Sequence, residues 1–449
     1  MVSAAALLGV FRLARTLAGP LAAAIVTLLT ALYPVWFAQS TLAHADIFAA
    51  AFTLWALSFY FERYAGKCPP SRLAAVAILF SLAALSKETA IITPIALGLW
   101  EAVLLITERN TKASIASLAW LAALFAPAIP LALWYLYHFH RTGFIFGNPE
   151  FLRYNATANL SLARVLVSLW HRFIHLTLHM NMYVPVIATI AALLIPRTAP
   201  NSRTLYRPAL TTISIIIAGN AIAFSILGGA LLTRYLLPLY PLVLLLCVAL
   251  WQTRGIKLLS GLTALTAAAF IAGLWINPPY SIAPEDNLTY SDFIILHQQA
   301  IGVITRQFPA ATVLSAWPAT TEMEHPDLGY TRTPIKTVAI DNFSAEQIQK
   351  AAQDPGAYDT ALIFSTKWTP RSGWLNLGHA SEPTDTRFFD FHRDLLPHDA
   401  AELLHGTVVW QGYRNGEWAA VLRFPRSNEA RLIPATNPGA PPSRRLYRR

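Results

Sequence analysis

Three short stretches of this sequence place ionisable side chains at the ends of long apolar segments. Ionisable groups next to hydrocarbon are costly, so their presence favours a functional interpretation. Lysine binds phosphate as a point charge and arginine binds it as a planar fork. The pattern therefore predicts a site for an anionic group, with an acid beside it. The stretches contain His44 and Asp46, then Lys87 and Glu88, then Arg234 and Tyr235.

Each of these residues also has a structural interpretation. Asp46 stands next to a helix that would begin at Ile47, and a carboxylate at that position can cap the helix. Lys87 can extend its ammonium group to the membrane surface and pair with its neighbour Glu88. Arg234 permits the same two interpretations as Lys87, a phosphate ligand or an interfacial cation.

Three histidines, His171, His175 and His179, are spaced four residues apart, so they share one face of a helix. No carboxylate stands among them to complete a metal site. Interfacial histidines are the commoner case, and the sequence predicts neither a metal ligand set nor a cofactor.

Motifs for soluble activated substrates are missing from the sequence. It contains no phosphate-binding loop, nucleophile elbow or metalloprotease helix. An enzyme without a nucleotide motif, and with its ionisable residues at a membrane face, is expected to draw its activated group from the lipid phase.

The composition places most of the chain in a membrane. Hydrophobic residues make up 55% and charged residues 13%, whereas soluble domains are about 25% charged. Up to Asn277 there are few acids, and this predicts a membrane domain over 1–277. The acidic residues up to Asn277 are Asp46, Glu62, Glu88, Glu101, Glu108 and Glu150.

Two cysteines, Cys68 and Cys247, do not form a disulfide framework.

Long apolar runs predict a mainly α, polytopic membrane protein with about nine or ten transmembrane helices. Ser3 to Leu17 resembles the end of a further helix. The predicted spans are Leu21–Phe37, Ile47–Phe61, Leu73–Leu85, Ile91–Ile106, Ile115–Tyr137, Tyr183–Ile195, Ala209–Leu227, Tyr235–Trp251 and Leu258–Ile276.

Basic residues concentrate in alternate loops, which the positive-inside rule assigns to the cytoplasm. They account for much of the net charge of +10, so we do not predict nucleic-acid binding. The other loops, and everything after Asn277, fall on the opposite side. The expected location is the cytoplasmic (inner) membrane of a bacterium, with Asp46, Lys87 and Arg234 at its outer face.

Two further regions are predicted from their patterns. Leu160 to Leu178 has the periodicity of an amphipathic helix that lies along the membrane surface. Residues 278–428 alternate strand and helix signals and predict a small α/β outer-face domain, with Ser344 as a helix N-cap and Asn415-Gly416 as a hairpin turn. Residues 429–449 form a basic, proline-rich tail that is expected to be disordered.

The chain resembles the polytopic GT-C glycosyltransferases, which include the protein O-mannosyltransferases, the aminoarabinose transferases and the RgtA/B/C/D-like transferases. Three stretches carry the likeness: Tyr33-Pro34 through Asp46, the corner at Ser86-Lys87, and Arg234-Tyr235 with the Leu-Leu-Pro that follows. The resemblance implies transfer of a sugar from a polyprenyl-phosphate donor at the outer face. It places Lys87 and Arg234 on the donor phosphate, and Asp46 at the family's second acidic position.

In that family, the principal acidic residue lies in a first outer loop, after a first span. Met1 to Leu17 resembles the end of the second span, so we expect this sequence to lack that residue. A truncated sequence is the explanation we favour, and a non-catalytic relative is the other.

Two rival functions stay open on the sequence. One is a membrane scaffold that binds a lipid phosphate without turnover, and the other is a transporter or flippase. The expected partners are a polyprenyl-phosphate-linked sugar, the lipid bilayer and an acceptor that the sequence does not identify. Transporters often contain internal repeats, and this chain shows none that is convincing.

Overall fold

The computed structural model describes residues 1–42, 44–65, 69–107, 111–145, 161–198, 205–227, 231–368, 370, 382–389 and 391–424. The predicted tail and Cys68 lie outside these residues, and Cys247 is a buried free thiol. By their contacts, the residues form two compact units. The first comprises Met1–Ser291 and Lys367–Phe391, and the second comprises Asp292–Thr366 and the chain from His392 onward. The domain limits inferred from composition stay predictions.

The first unit is a bundle of apolar helices. Among the described residues, five helices are long and apolar enough to cross a membrane, or six if one bent pair is a single span, and three shorter helices are also apolar. The predicted polytopic α-helical fold is confirmed. Its helices are α1 (Val2–Ala18), α2 (Pro20–Leu32), α3 (Pro34–Thr41), α4 (Ala45–Phe61), α5 (Pro70–Ser86), α6 (Ile92–Thr107), α7 (Thr111–Phe125), α8 (Ala128–Thr142), α9 (Leu162–Thr177), α10 (Tyr183–Leu193), α11 (Arg207–Leu227), α12 (Tyr240–Gln252) and α13 (Ile256–Gly273).

The first predicted span is broken. It divides at Tyr33 into α2 and α3, whose axes differ in direction by 66°. Pro34 has no N–H to continue the hydrogen-bond ladder of α2, and a residue that precedes proline is driven out of the helical region. Tyr33 accordingly has an extended backbone, with φ −61° and ψ 124°. The break turns α3 away from the axis of α2.

Helix α9 matches the predicted amphipathic helix, and Ser161 caps it by accepting a hydrogen bond from the Arg164 amide (3.2 Å). Its exposed face is apolar, and its polar face is buried within the protein. Arg172 is fully buried on that face, whereas Phe173 and Leu166 are more than half exposed. An apolar face turned outward is what a helix in the membrane interface requires.

The second unit contains a five-stranded sheet with the order β2-β1-β3-β5-β4. β1 is parallel to both β2 and β3, and β5 is antiparallel to β3 and β4. The predicted hairpin is present, with positive φ at both Asn415 and Gly416. Ser344 caps its helix as predicted. The elements are α14 (Tyr290–Gln307), β1 (Val313–Ala316), α15 (Ala319–Glu324), β2 (Thr337–Ile340), α16 (Ala345–Ala351), β3 (Thr360–Phe364), α17 (Glu382–Phe389, of the first unit), α18 (Pro397–Leu403), β4 (Thr407–Arg414) and β5 (Glu417–Arg423).

Candidate functional site

The structure brings Asp46, Lys87 and Arg234 together. Asp46 lies in the first turn of α4, Lys87 lies between α5 and a 3₁₀ turn (Glu88–Ile91), and Arg234 lies in another 3₁₀ turn (Thr233–Leu236). The Lys87 ammonium donates to Asp46 Oδ1, and Arg234 Nε lies 3.5 Å from Asp46 Oδ2. Two cations from distant parts of the chain therefore share one carboxylate.

Neither a helix cap at Asp46 nor a pair between the neighbours Lys87 and Glu88 accounts for these contacts. His44 is the N-cap residue of α4, and no side chain there makes a capping hydrogen bond. The Asp46 carboxylate is directed at the two cations, although its place in the first turn still suits the helix dipole. Lys87 pairs with Asp46, while Glu88 is exposed.

Tyr235 forms a wall beside the ion pairs. The Lys87 Nζ atom lies 3.8 Å from the centre of the Tyr235 ring, which is a cation–π contact. The ring also stacks on Phe224, with 5.8 Å between the ring centroids. Lys87 is thus held by a carboxylate on one side and an aromatic face on another.

A pocket adjoins this cluster. The three charged residues and Tyr235 line one part of it, and the rest of the wall combines threonine and asparagine with alanine, phenylalanine and proline side chains. Thr93 and Asn220 hydrogen-bond to each other deeper in the wall (3.2 to 3.3 Å). The pocket encloses about 20 Å³ in this structure, which is room for about one water molecule. Its charged mouth and partly apolar wall have the chemistry to contact an anionic head and a hydrocarbon tail. The other lining residues are Ala49, Ala50, Thr53, Thr89, Ala90, Phe224 and Pro238.

Glu285 is a site residue that the sequence analysis missed. Arg234 Nη1 donates to its carboxylate. Gln39 Nε2 donates to the Glu285 carbonyl oxygen (3.2 Å), and Gln39 Oε1 lies 2.8 Å from His44 Nδ1. The composition step had assigned Glu285 to the outer domain. The sequence feature that could have identified Glu285 is a pair of adjacent acids, Glu285 and Asp286, shortly after the last predicted span.

Asp286 anchors the turn that carries Arg234. It is 2% exposed, accepts a hydrogen bond from Thr233 Oγ1, and lies 3.1 Å from His179 Nε2. Tyr240 OH donates to the Thr233 carbonyl oxygen (3.0 Å). His179 thus belongs to a structural network, and within the described ranges no three His, Cys, Asp or Glu side chains are placed to hold a metal ion.

Burial acts on the basic residues of the cluster. Burial lowers the pKa of Lys87 from its ordinary value, and the Asp46 carboxylate opposes that shift. Burial also lowers the pKa of His44, with a further contribution from Arg234. Arg234 Nε is buried and makes no hydrogen bond to any described residue, because its contact with Asp46 is an ion pair without hydrogen-bond geometry. That buried N–H is therefore unsatisfied in this structure, and a ligand can reach it only if neighbouring side chains move.

Comparison with known proteins finds one similarity to a family model and one to a solved structure. Residues 1–134 match the dolichyl-phosphate-mannose-protein mannosyltransferase family, and no curated protein gives a significant match. ArnT from Cupriavidus metallidurans, in its apo state, has a similar fold with a TM-score of 0.50 and 15% identity, over 94% of this chain and 82% of that one. Together these findings confirm the predicted resemblance to the GT-C glycosyltransferases and a multi-pass membrane protein.

Proposed function

We propose that this chain, which has the fold of a GT-C glycosyltransferase, moves a sugar from a polyprenyl-phosphate donor to an acceptor hydroxyl at the outer face of the cytoplasmic membrane. One observation carries the proposal. Lys87 and Arg234 converge at the mouth of a partly apolar pocket, where Arg234 Nε has no hydrogen-bond partner among the described residues. A phosphate mono- or diester carries the charge that this arrangement would bind. The pocket encloses about 20 Å³ in this structure, so its side chains must move before the first isoprene units can lie against the apolar part of its wall.

The donor phosphate takes the place of Asp46 on the two cations. The acceptor hydroxyl then attacks the anomeric carbon of the sugar, and a new carbon–oxygen bond forms. The bond between the anomeric carbon and the phosphate oxygen breaks, and the phosphate keeps its electron pair. Lys87 and Arg234 stabilise the charge that develops on the departing phosphate.

A carboxylate must receive the proton of the acceptor hydroxyl. Asp46 and Glu285 both contact Arg234 in this structure, and either is released when Arg234 turns to the donor phosphate. We assign Asp46 to orienting groups near the acceptor, and Glu285 is a second carboxylate at the same mouth. His44 and Glu88 complete the polar groups proposed to contact the sugar or the acceptor.

The decisive test distinguishes phosphate binding at Lys87 and Arg234 from non-specific attraction to a positively charged surface. We expect Lys87→Ala and Arg234→Ala in lipid nanodiscs to bind undecaprenyl phosphate about tenfold or more weakly, because each loses a charge-assisted hydrogen bond. Lys257→Ala and Arg207→Ala remove exposed cations elsewhere and serve as matched controls. Equal losses in all four variants, or none, would refute a specific phosphate site.

Turnover is tested with a radiolabelled polyprenyl-phosphate sugar and a mixed membrane extract as the source of acceptor. Binding without any labelled product would favour the scaffold. Movement of label across sealed vesicles would favour a transporter. A cysteine that replaces exposed Glu88, in a chain with its two native cysteines changed to serine, tests the side of the membrane by its reaction with an impermeant reagent in whole cells.

A further inference from the structure

The carboxyl ends of three parallel strands meet at one edge of the sheet in the second unit. β1 lies between β2 and β3, and the chain runs from β1 to β2 before it returns to β3 on the opposite side of β1. The connections thus reverse direction between β1 and β3. In sheets of this kind, ligands bind outside the carboxyl ends of the strands at such a reversal.

Trp317 follows β1 directly at this edge. Its side chain is 75% exposed, more than any other tryptophan in the part of the chain that the structure describes. Ser315, two residues earlier, is fixed in the sheet because its hydroxyl donates to the Leu362 carbonyl oxygen of β3 (2.7 Å). The strand therefore presents an aromatic face at the reversal point.

Asp394 lies at the same edge. The amide and hydroxyl of Thr366, just after β3, both donate to Asp394 Oδ2 (2.8 and 2.7 Å). The next residue, Leu395, donates its amide to the carbonyl oxygen of Phe343, just after β2 (2.9 Å). A segment that joins the ends of β3 and β2 must pass the end of β1, which lies between them. This topology brings Asp394 to the end of the strand that leads into Trp317.

The second oxygen of this carboxylate is unused. Two hydrogen bonds from Thr366 fix Asp394, whereas its Oδ1 atom has no hydrogen-bond partner among the described residues. A buried acceptor without a donor is costly in a folded protein. An oriented, unsatisfied acceptor thus lies at the same edge as an exposed indole ring.

We propose that this edge of the second unit binds a saccharide. A pyranose ring has an apolar C–H face that can pack on the Trp317 indole. Its hydroxyl groups can donate to Asp394 Oδ1, a buried atom that a local side-chain rearrangement must expose. Phosphate is disfavoured as a ligand because the carboxylate repels it. A purely apolar ligand is disfavoured because it would leave Oδ1 unsatisfied. The site does not depend on sugar transfer at Lys87 and Arg234, and either can be correct without the other.

The test uses the full-length protein in nanodiscs and three free trisaccharides: mannotriose, maltotriose and galactotriose. We expect saturation-transfer NMR to detect millimolar binding of at least one. Trp317→Ala and Asp394→Asn should each weaken it about tenfold, and Trp317→Phe, which keeps an aromatic face, should weaken it less. Tyr413→Ala removes another exposed aromatic side chain of the same unit, on β4, and should leave binding unchanged.

Three results would overturn the proposal. One is that no trisaccharide binds at millimolar concentration. Another is that Trp317→Ala and Tyr413→Ala weaken binding equally, since the aromatic contact would then be non-specific. The third is that Trp317→Ala keeps full binding but changes the melting temperature only when lipid is present, because Trp317 would then be an interfacial membrane anchor. Attaching the bound trisaccharide to a lipid distinguishes a glycolipid headgroup, which binds more tightly, from a free glycan.

Discussion

Both ends of helix α4 carry a cluster of charged side chains. The two clusters differ in whether a hydrogen-bonding group is left without a partner among the described residues. At the Asp46 end, two cations share one carboxylate beside a pocket, and Arg234 Nε makes no hydrogen bond to the described residues. At the opposite end, Glu62 and Arg63 follow the last helical residue, Phe61. The comparison separates a candidate binding site from a structural one.

At the Glu62 end, the carboxylates are saturated by their neighbours. Glu101 is fully buried and accepts hydrogen bonds from Tyr60 OH (2.6 Å) and from Arg63. Glu62 pairs with Arg12 (2.6 Å) and Arg72 (3.0 Å). Arg12 lies in α1, Arg72 lies in α5 and Arg63 follows α4. Their partners hold helices together, so the number of charges alone does not identify a binding site.

The largest effect is expected on stability at the Glu62 end. Arg63→Met leaves the Glu101 carboxylate buried without its cation, which costs about 3 to 5 kcal/mol of unfolding free energy. Unfolding in mixed micelles should show this loss, while the affinity for undecaprenyl phosphate stays unchanged. Arg63→Met combined with Glu101→Gln should recover much of the stability. Arg12→Ala, whose side chain is 37% exposed, should cost less than about 1 kcal/mol.

At the Asp46 end, we expect a substitution to reduce activity strongly and stability little. Arg234→Ala should lower kcat/KM for transfer by about 100- to 1,000-fold, as the loss of one donor to a developing oxyanion does. Its melting temperature should change little, because Asp46 keeps Lys87 as a partner and the Glu285 carboxylate, 18% exposed, stays in contact with solvent. A variant that melts early and still transfers sugar would reverse the assignment of the two ends.

Glu417 is a buried carboxylate that pairs with no cation among the described residues, and it extends the comparison. Burial raises the pKa of Glu417 from 4.5 to about 8, and the charge of Asp292 adds to the shift. The folded state then binds the proton more tightly than the unfolded state, so stability is highest below pH 4.5 and is lost as the pH rises toward 8. Glu417→Gln should therefore stabilise the protein by about 1 to 3 kcal/mol at pH 9, and hardly at all at pH 4. Equal melting shifts at both pH values would contradict this account.

The smallest effect concerns Glu285. Glu285→Gln removes a competitor for Arg234, so we expect undecaprenyl phosphate to bind about three- to tenfold more tightly. If Glu285 also receives the acceptor proton, kcat falls while the KM for the donor does not rise. Glu285→Asp keeps the charge and serves as the control. Weaker phosphate binding in the glutamine variant would mean that Glu285 holds Arg234 in its binding position.

Much of the site could be predicted because its residues stand out locally. Asp46, Lys87 and Arg234 are ionisable groups at the edges of apolar runs, and the alternation of basic loops predicted that they share one side of the membrane. Glu285 could not be found in this way. It follows the composition step, and only the ion pair with Arg234 shows that it belongs to the same cluster.

The sequence by itself determined the membrane character, the position of most helices and the α/β pattern after Asn277, because hydropathy and periodicity are properties of neighbouring residues. Tertiary structure decided the rest. It paired Lys87 with Asp46 rather than with the adjacent Glu88, and it buried the polar face of α9. These outcomes depend on which helix ends meet in space, and a cation at a membrane boundary pairs with the carboxylate that packing places within reach.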